Sequence, residues 1–227
     1  MTKPFREFIS ELEVKYATSS FLLSKYAGTQ KGYVEAAIRD TSCSLPLRMA
    51  GAESITDAVM LAGKLGVNLD PSKGLAELAA FQSSRTKTIG CVLNLSLEGM
   101  MDAFSRVNGM KVHSLQSAND SHQLNWKVNE LNASVSVPKN LKSAHNSTGA
   151  ICVIELDTGD RIPTVIRQDE IIQLAKLANL SPNSVSEDFA LKQVFKRALK
   201  TLVSPSNSQL NYLQQAAKLI DIYLFEH

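Results

Sequence analysis

Apolar residues recur at helical spacing through the first third of the chain. "FREFISELEVKYA" places Phe5, Phe8, Ile9 and Leu12 on one face, and "YVEAAIRD" and "ESITDAVMLAGKLG" repeat the period, the last closing at Gly66. After the turn "NLDPSKG" the pattern becomes extended, first in "LAELAAF" and then in "TIGCVLNLS", joined by the polar, basic "QSSRTK". "EGMMDAFSRVNG" predicts a helix that stops at Gly109. From 110 to 137 polar and apolar residues alternate in "MKVHSLQS", "HQLNWKV" and "LNASVSV", the pattern of antiparallel strands. A polar loop, "VPKNLKSAHNSTG", leads to the clearest hairpin of the chain: "AICVIEL", the turn "DTGD", then "RIPTVIR". A helix is predicted near Asp169, with that carboxylate as its cap. The final helix, "NSQLNYLQQAAKLIDIYLF", sets Leu210, Leu213, Ala217, Ile220 and Leu224 on a packing face.

These elements predict an α+β fold in which helices pack on a central antiparallel sheet that includes the hairpin. The helical part covers about 1–70, the sheet-rich part about 75–167 and a basic helix about 187–202, together a core over 1–203, with 204–227 as a C-terminal helix packing on it. At 44% hydrophobic, 227 residues suffice to enclose such a core. No run approaches the roughly 20 apolar residues of a membrane span. The opening "MTKPFREFISELEV" carries acids where a signal peptide is apolar, so the expected location is the cytoplasm and no membrane partner is expected. Cys43, Cys91 and Cys152 are odd in number and widely spaced, which suits reduced core thiols better than disulfides or a zinc site.

The usual local signatures of catalysis are missing. There is no H-E-x-x-H, C-x-x-C or G-x-S-x-G, and no G-x-x-x-x-G-K-[ST] loop to cradle the phosphates of ATP. His113, His122, His145 and His227 lie apart, and Glu155, Asp157 and Asp160 read first as turn chemistry, with cation binding as the lesser reading. No catalytic residue, metal or cofactor is therefore expected.

The net charge of +2 is small, but its distribution is uneven. Between Asp188 and Asp221 there is no acid, whereas Lys192, Lys196, Arg197, Lys200 and Lys218 fall in that gap. Two readings compete over "LANLSPNSVSEDFALKQVFKRALKTL", besides that of an ordinary solvated face. In the first, a tight turn at Asn179 and a second helix from Ser181 form a helix-turn-helix that reads duplex DNA. Against it, Glu187 and Asp188 would stand where a recognition helix meets phosphates. In the second, Lys192, Lys196 and Lys200 recur at i, i+4 and i+8 with Arg197 beside them, a cationic ridge for a phosphate backbone.

Taken with its surroundings, this helix resembles a motif of the RecT family of phage-type single-strand annealing proteins. "EDFALKQVFKRALKTL" is similar to the family's E-E-M-A-K-K-T-A-I-R-R-L-F-K-Y-L, keeping Glu187, Ala190, Lys192, Arg197, Lys200 and Leu202 and departing at Thr201 and, just beyond, at Val203. Upstream, "ITDAVMLAGKLGVNLDPSKGLAELAAF" and "NLSLEGMMDAFSRVNGM" resemble two further family motifs in the same order, without the family's Tyr and the Pro before Phe81. The resemblance spans about residues 50–203. It implies ATP-independent annealing of single-stranded DNA for recombination, not enzymatic chemistry, by rings or helical filaments that hold both the single strand and the annealed duplex. It also implies a partner exonuclease and contact with a host single-strand-binding protein. The proposed DNA contacts are Lys192, Lys196, Arg197 and Lys200, with Arg85, Lys87, Arg106 and Lys111 as weaker candidates. A metal-assisted enzyme remains the third class.

Overall fold

The computed structural model describes Glu7, Ser10 and residues 27–42, 45–83, 86–119, 147–181, 185–203 and 207–225. The fold is α+β, and the chain divides into two compact units, one formed by Met1–Arg106 with Pro205–His227 and the other by Val107–Ser204.

In the first unit, α1 (Ala27–Arg39) precedes α2 (Ala52–Leu65), whose period-3.6 apolar positions bury Ile55, Ala58, Val59, Ala62 and Leu65. As expected, Gly66 closes α2, with φ of 68° in the left-handed region where a side chain is strained. The strands β1 (Ala76–Gln82) and β2 (Ile89–Leu95) pair antiparallel, from Ala76 opposite Leu95 to Gln82 opposite Ile89. Next comes α3 (Leu97–Phe104), capped by the Ser96 hydroxyl, which accepts from the Gly99 N–H at 3.0 Å. The last helix, α6 (Ser208–Phe225), returns to this unit, packs on β2, α2 and α3, and buries Leu210, Leu213, Ala216, Ala217 and Ile220. Leu224 is only half-buried.

The second unit is a three-stranded antiparallel sheet in the order β3 (Met110–Asn119), β4 (Ser147–Leu156), β5 (Arg161–Arg167), with α4 (Gln168–Leu177) and α5 (Glu187–Thr201) packed on it. Residues Ala150 to Ile154 of the middle strand are all buried, which explains why this segment reads as a continuous apolar run rather than an alternation. The predicted turn is present: Leu156 N–H donates to Asp160 O at 2.8 Å, Thr158 Oγ1 donates to Asp160 Oδ2 at 2.8 Å, and Gly159 takes a φ of 86°.

Three expectations need correction. Among the described residues the strands form two sheets instead of one central sheet: β1 and β2 are joined by their own local turn, and α3 then interrupts the run. The helix after β2 ends at Phe104, not at Gly109. Ser105 caps it, and Gly109, with a φ of 82°, instead opens β3. The helix near Asp169 starts one residue earlier, at Gln168: Glu170 accepts the Arg167 backbone N–H at 3.0 Å, and Asp169 sits in the first turn, where its charge suits the helix dipole. The expected strands "HQLNWKV" and "LNASVSV" and most of the polar loop after them lie outside the described residues.

Candidate nucleic-acid interface

Helix α5 owes its start to Ser186, whose hydroxyl accepts from the Phe189 N–H at 3.2 Å, and to Glu187 and Asp188 in its first turn. Ser117 of β3 donates a hydrogen bond to the Glu187 carboxylate. Ala190, Val194, Phe195, Ala198, Leu199 and Leu202 are buried along the apolar side of the helix, which packs against β4, β5 and β3. The remaining side carries Lys192, Gln193, Lys196, Arg197 and Lys200, which at about 100° per residue fill a contiguous sector of about 140°.

This start differs from the one the helix-turn-helix reading expects, a second helix from Ser181. Asn179 does form the tight turn, with a φ of 55°, but Ser181, Val185 and Ser186 are not helical and the helix begins only at Glu187. Asn183 and Ser184 lie outside the described residues.

The basic residues do not form the uniform exposed stripe that their spacing suggests. Lys200 is exposed and Lys192 half-buried, while Lys196 is only 1% exposed. Periodicity assigns a residue to a side of its helix but not to water, and α5 is enclosed on part of its polar side as well. Lys196→Gln is accordingly expected to destabilise the protein by about 1–3 kcal/mol, whereas Lys200→Gln should stay within about 0.5 kcal/mol of wild type. Thermal unfolding of the two variants followed by circular dichroism checks the difference.

Arg197 ties helix to sheet. Its guanidinium donates to Val165 O of β5 at 3.0 Å and to the Glu170 carboxylate of α4 at 2.9 Å. The hydrogen bond from Arg197, helped by the Arg167 backbone N–H, holds the Glu170 carboxyl below its ordinary pKa. Arg106 plays a similar part in the first unit, donating to Leu65 O at 3.2 Å, Asp102 O at 2.9 Å and the Asp102 carboxylate at 2.6 Å. Lys111 lies 2.6 Å from Glu155, a carboxylate also met by Arg161 at 3.0 Å and by His113 Nδ1 at 3.1 Å. Hydrogen bonds from Lys111 and Arg161 lower the Glu155 pKa. Lys87 is exposed in the turn between β1 and β2, with a φ of 56°, and Arg85 lies outside the described residues. Lys192, Lys196, Arg197 and Lys200 thus share one helix and Lys111 the adjoining sheet, while Lys87 and Arg106 belong to the other unit.

Cys91 and Cys152 are free and buried, and burial pushes both thiols up to about 12, which leaves them protonated and unreactive at neutral pH. Cys43 lies outside the described residues. Among the described residues no group of His, Cys, Asp and Glu is placed to hold a metal ion, and no helix is long and apolar enough to cross a membrane. Glu155, Asp157 and Asp160 are used in the ion pairs and turn of the β4–β5 hairpin. The residue sequence reasoning passed over is Gln193, 4% exposed in the middle of the cationic sector. Its signal was a polar, uncharged residue one turn before Lys196 and Arg197.

Comparison with known proteins gives no family model that matches the chain and no match among curated proteins.

Proposed function

We propose that this chain is an ATP-independent single-stranded DNA annealing protein of the RecT type. The observation that carries the reading is the contiguous cationic sector of α5, mounted by its apolar side on a three-stranded sheet. A strand's backbone asks for cations and for no reading of bases, and the helix carries its basic residues on one side. Lys200 and Lys192, being exposed and half-exposed, meet the phosphates first. Bases left outward can sample a complementary strand, and the paired product gains because two backbones then contact protein. The sequence resemblance adds support: its segments fall on α2 through β1, on β2 through α3, and on α5 after the β4–β5 hairpin. In this reading the protein works as a ring or helical filament, alongside an exonuclease that exposes single strands and a host single-strand-binding protein, within the cytoplasm.

Two complementary oligonucleotides, one carrying a fluorophore and the other a quencher, test the proposal. The protein is expected to speed their pairing with no nucleotide present, and Lys200→Gln should lower the magnitude of the single-strand salt slope by about 0.7, the loss of one phosphate contact. Pairing at the uncatalysed rate, or acceleration only with hydrolysable ATP, would remove the proposal.

A further inference from the structure

Gln193 is the anomaly of α5. The residue is 4% exposed, and its Nε2 is buried without a hydrogen-bond partner, the one such side-chain atom among the described residues. An amide N–H2 taken from water and given no acceptor bears a desolvation cost with nothing in return, and native structures retain few such groups. Its position gives the cost a purpose. Lys196 and Arg197 stand three and four residues further on, one turn along the same side, and exposed Lys200 stands two turns along. The orphan donor therefore sits on the basic side of the helix, two turns from the exposed ammonium of Lys200, a charge that favours an anionic oxygen nearby.

We propose that Gln193 Nε2 is a charge-neutral donor to a backbone phosphate of single-stranded DNA, engaged once the strand has been drawn in along Lys200. This rests on the annealing function proposed above. The side chain must turn outward to meet the phosphate, and no hydrogen bond from Nε2 opposes that turn. A neutral donor has a signature that the lysines lack: it strengthens binding without releasing a counterion, so affinity and salt slope separate at this residue.

The test is Gln193→Met, which keeps length and removes the amide, read with fluorescein-labelled oligothymidine by anisotropy at several salt concentrations and by thermal unfolding. Binding is expected to weaken roughly tenfold, the worth of one hydrogen bond to a charged group, with the salt slope unchanged and the unfolding midpoint not lowered. Wild-type affinity in the folded variant, or a changed slope, overturns the inference. Should the variant fail to fold, the wild type labelled with 15N-glutamine decides: the Gln193 side-chain amide resonance is expected to move on adding oligothymidine, and a resonance that stays in place overturns it. A wild-type protein that does not bind oligothymidine removes the annealing reading as well. Wild-type binding with an indifferent Met variant removes the inference alone.

Discussion

Phe195→Ala is expected to cost about 3–5 kcal/mol of stability, from the lost transfer energy of the ring and the cavity left behind. Phe195 is fully buried on the apolar side of α5, between Ala198 and Leu199 around the helix, in a unit whose sheet contributes the equally buried Cys152, Ile154 and Ile166. Net domain stabilities are about 5–15 kcal/mol, so one ring carries a large share of the total. At roughly 4–8 °C per kcal/mol for a unit of this size, the midpoint should fall by more than about 10 °C. Phe195→Leu, which retains much of the volume, should lie between wild type and Ala. Chemical denaturation of the three proteins measures the series. A loss below about 1 kcal/mol for Ala would show that the ring is not enclosed as described.

Gly99→Ala is the second large effect, and helix propensity alone gives it the wrong sign. In a helix, Ala is favoured over Gly by about 1 kcal/mol. A Cβ at position 99, however, would lie 1.9 Å from Leu75 O and 2.8 Å from Leu75 C, backbone atoms that cannot swing aside. The same carbonyl accepts hydrogen bonds from the Ser96 N–H at 3.0 Å and the Ser96 hydroxyl at 3.2 Å, so moving it also breaks the junction between the start of β1 and the cap of α3. The clash should win, with a net loss of roughly 3 kcal/mol or more. Gly32→Ala is the control, since Gly32 lies within α1 and an added Cβ meets nothing within 4 Å. That change should stabilise by up to about 1 kcal/mol. If both substitutions shift the thermal midpoint upward, the close approach at Leu75 is wrong.

Local chemistry is where the sequence was most legible. The end of α2 at Gly66, the β4–β5 hairpin with its turn and the packing face of α6 follow from periodicity and turn residues alone. What failed depended on tertiary distance. Nothing in "LNLSLEGMM" says that Gly99 must lie against Leu75, or that β1 and β2 form a two-stranded sheet among the described residues. The candidate site shows the same limit. Spacing placed Lys192, Lys196 and Lys200 on one side of a helix, but the burial of Lys196, the bonding of Arg197 to β5 and α4, and the orphan amide of Gln193 depend on what packs beside that helix. Arg106, a weaker candidate for DNA contact, likewise locks the end of α3 to that of α2 through bonds that the sequence does not reveal.

The return of α6 to the first unit sets an order of events during synthesis. β2 is complete at Leu95, yet the helix that packs on it begins only at Ser208, after the whole of the second unit has been translated. At about 5–20 residues per second, the nascent first unit waits on the order of 5–20 s for Leu210, Leu213 and Ile220 to arrive. The inserted unit, continuous from Val107 to Ser204, has β3, β4, β5, α4 and α5 in hand before that moment. The segment made first is thus the last to be closed, and through that interval its apolar surface is one the ribosome-bound chain must keep from other nascent chains.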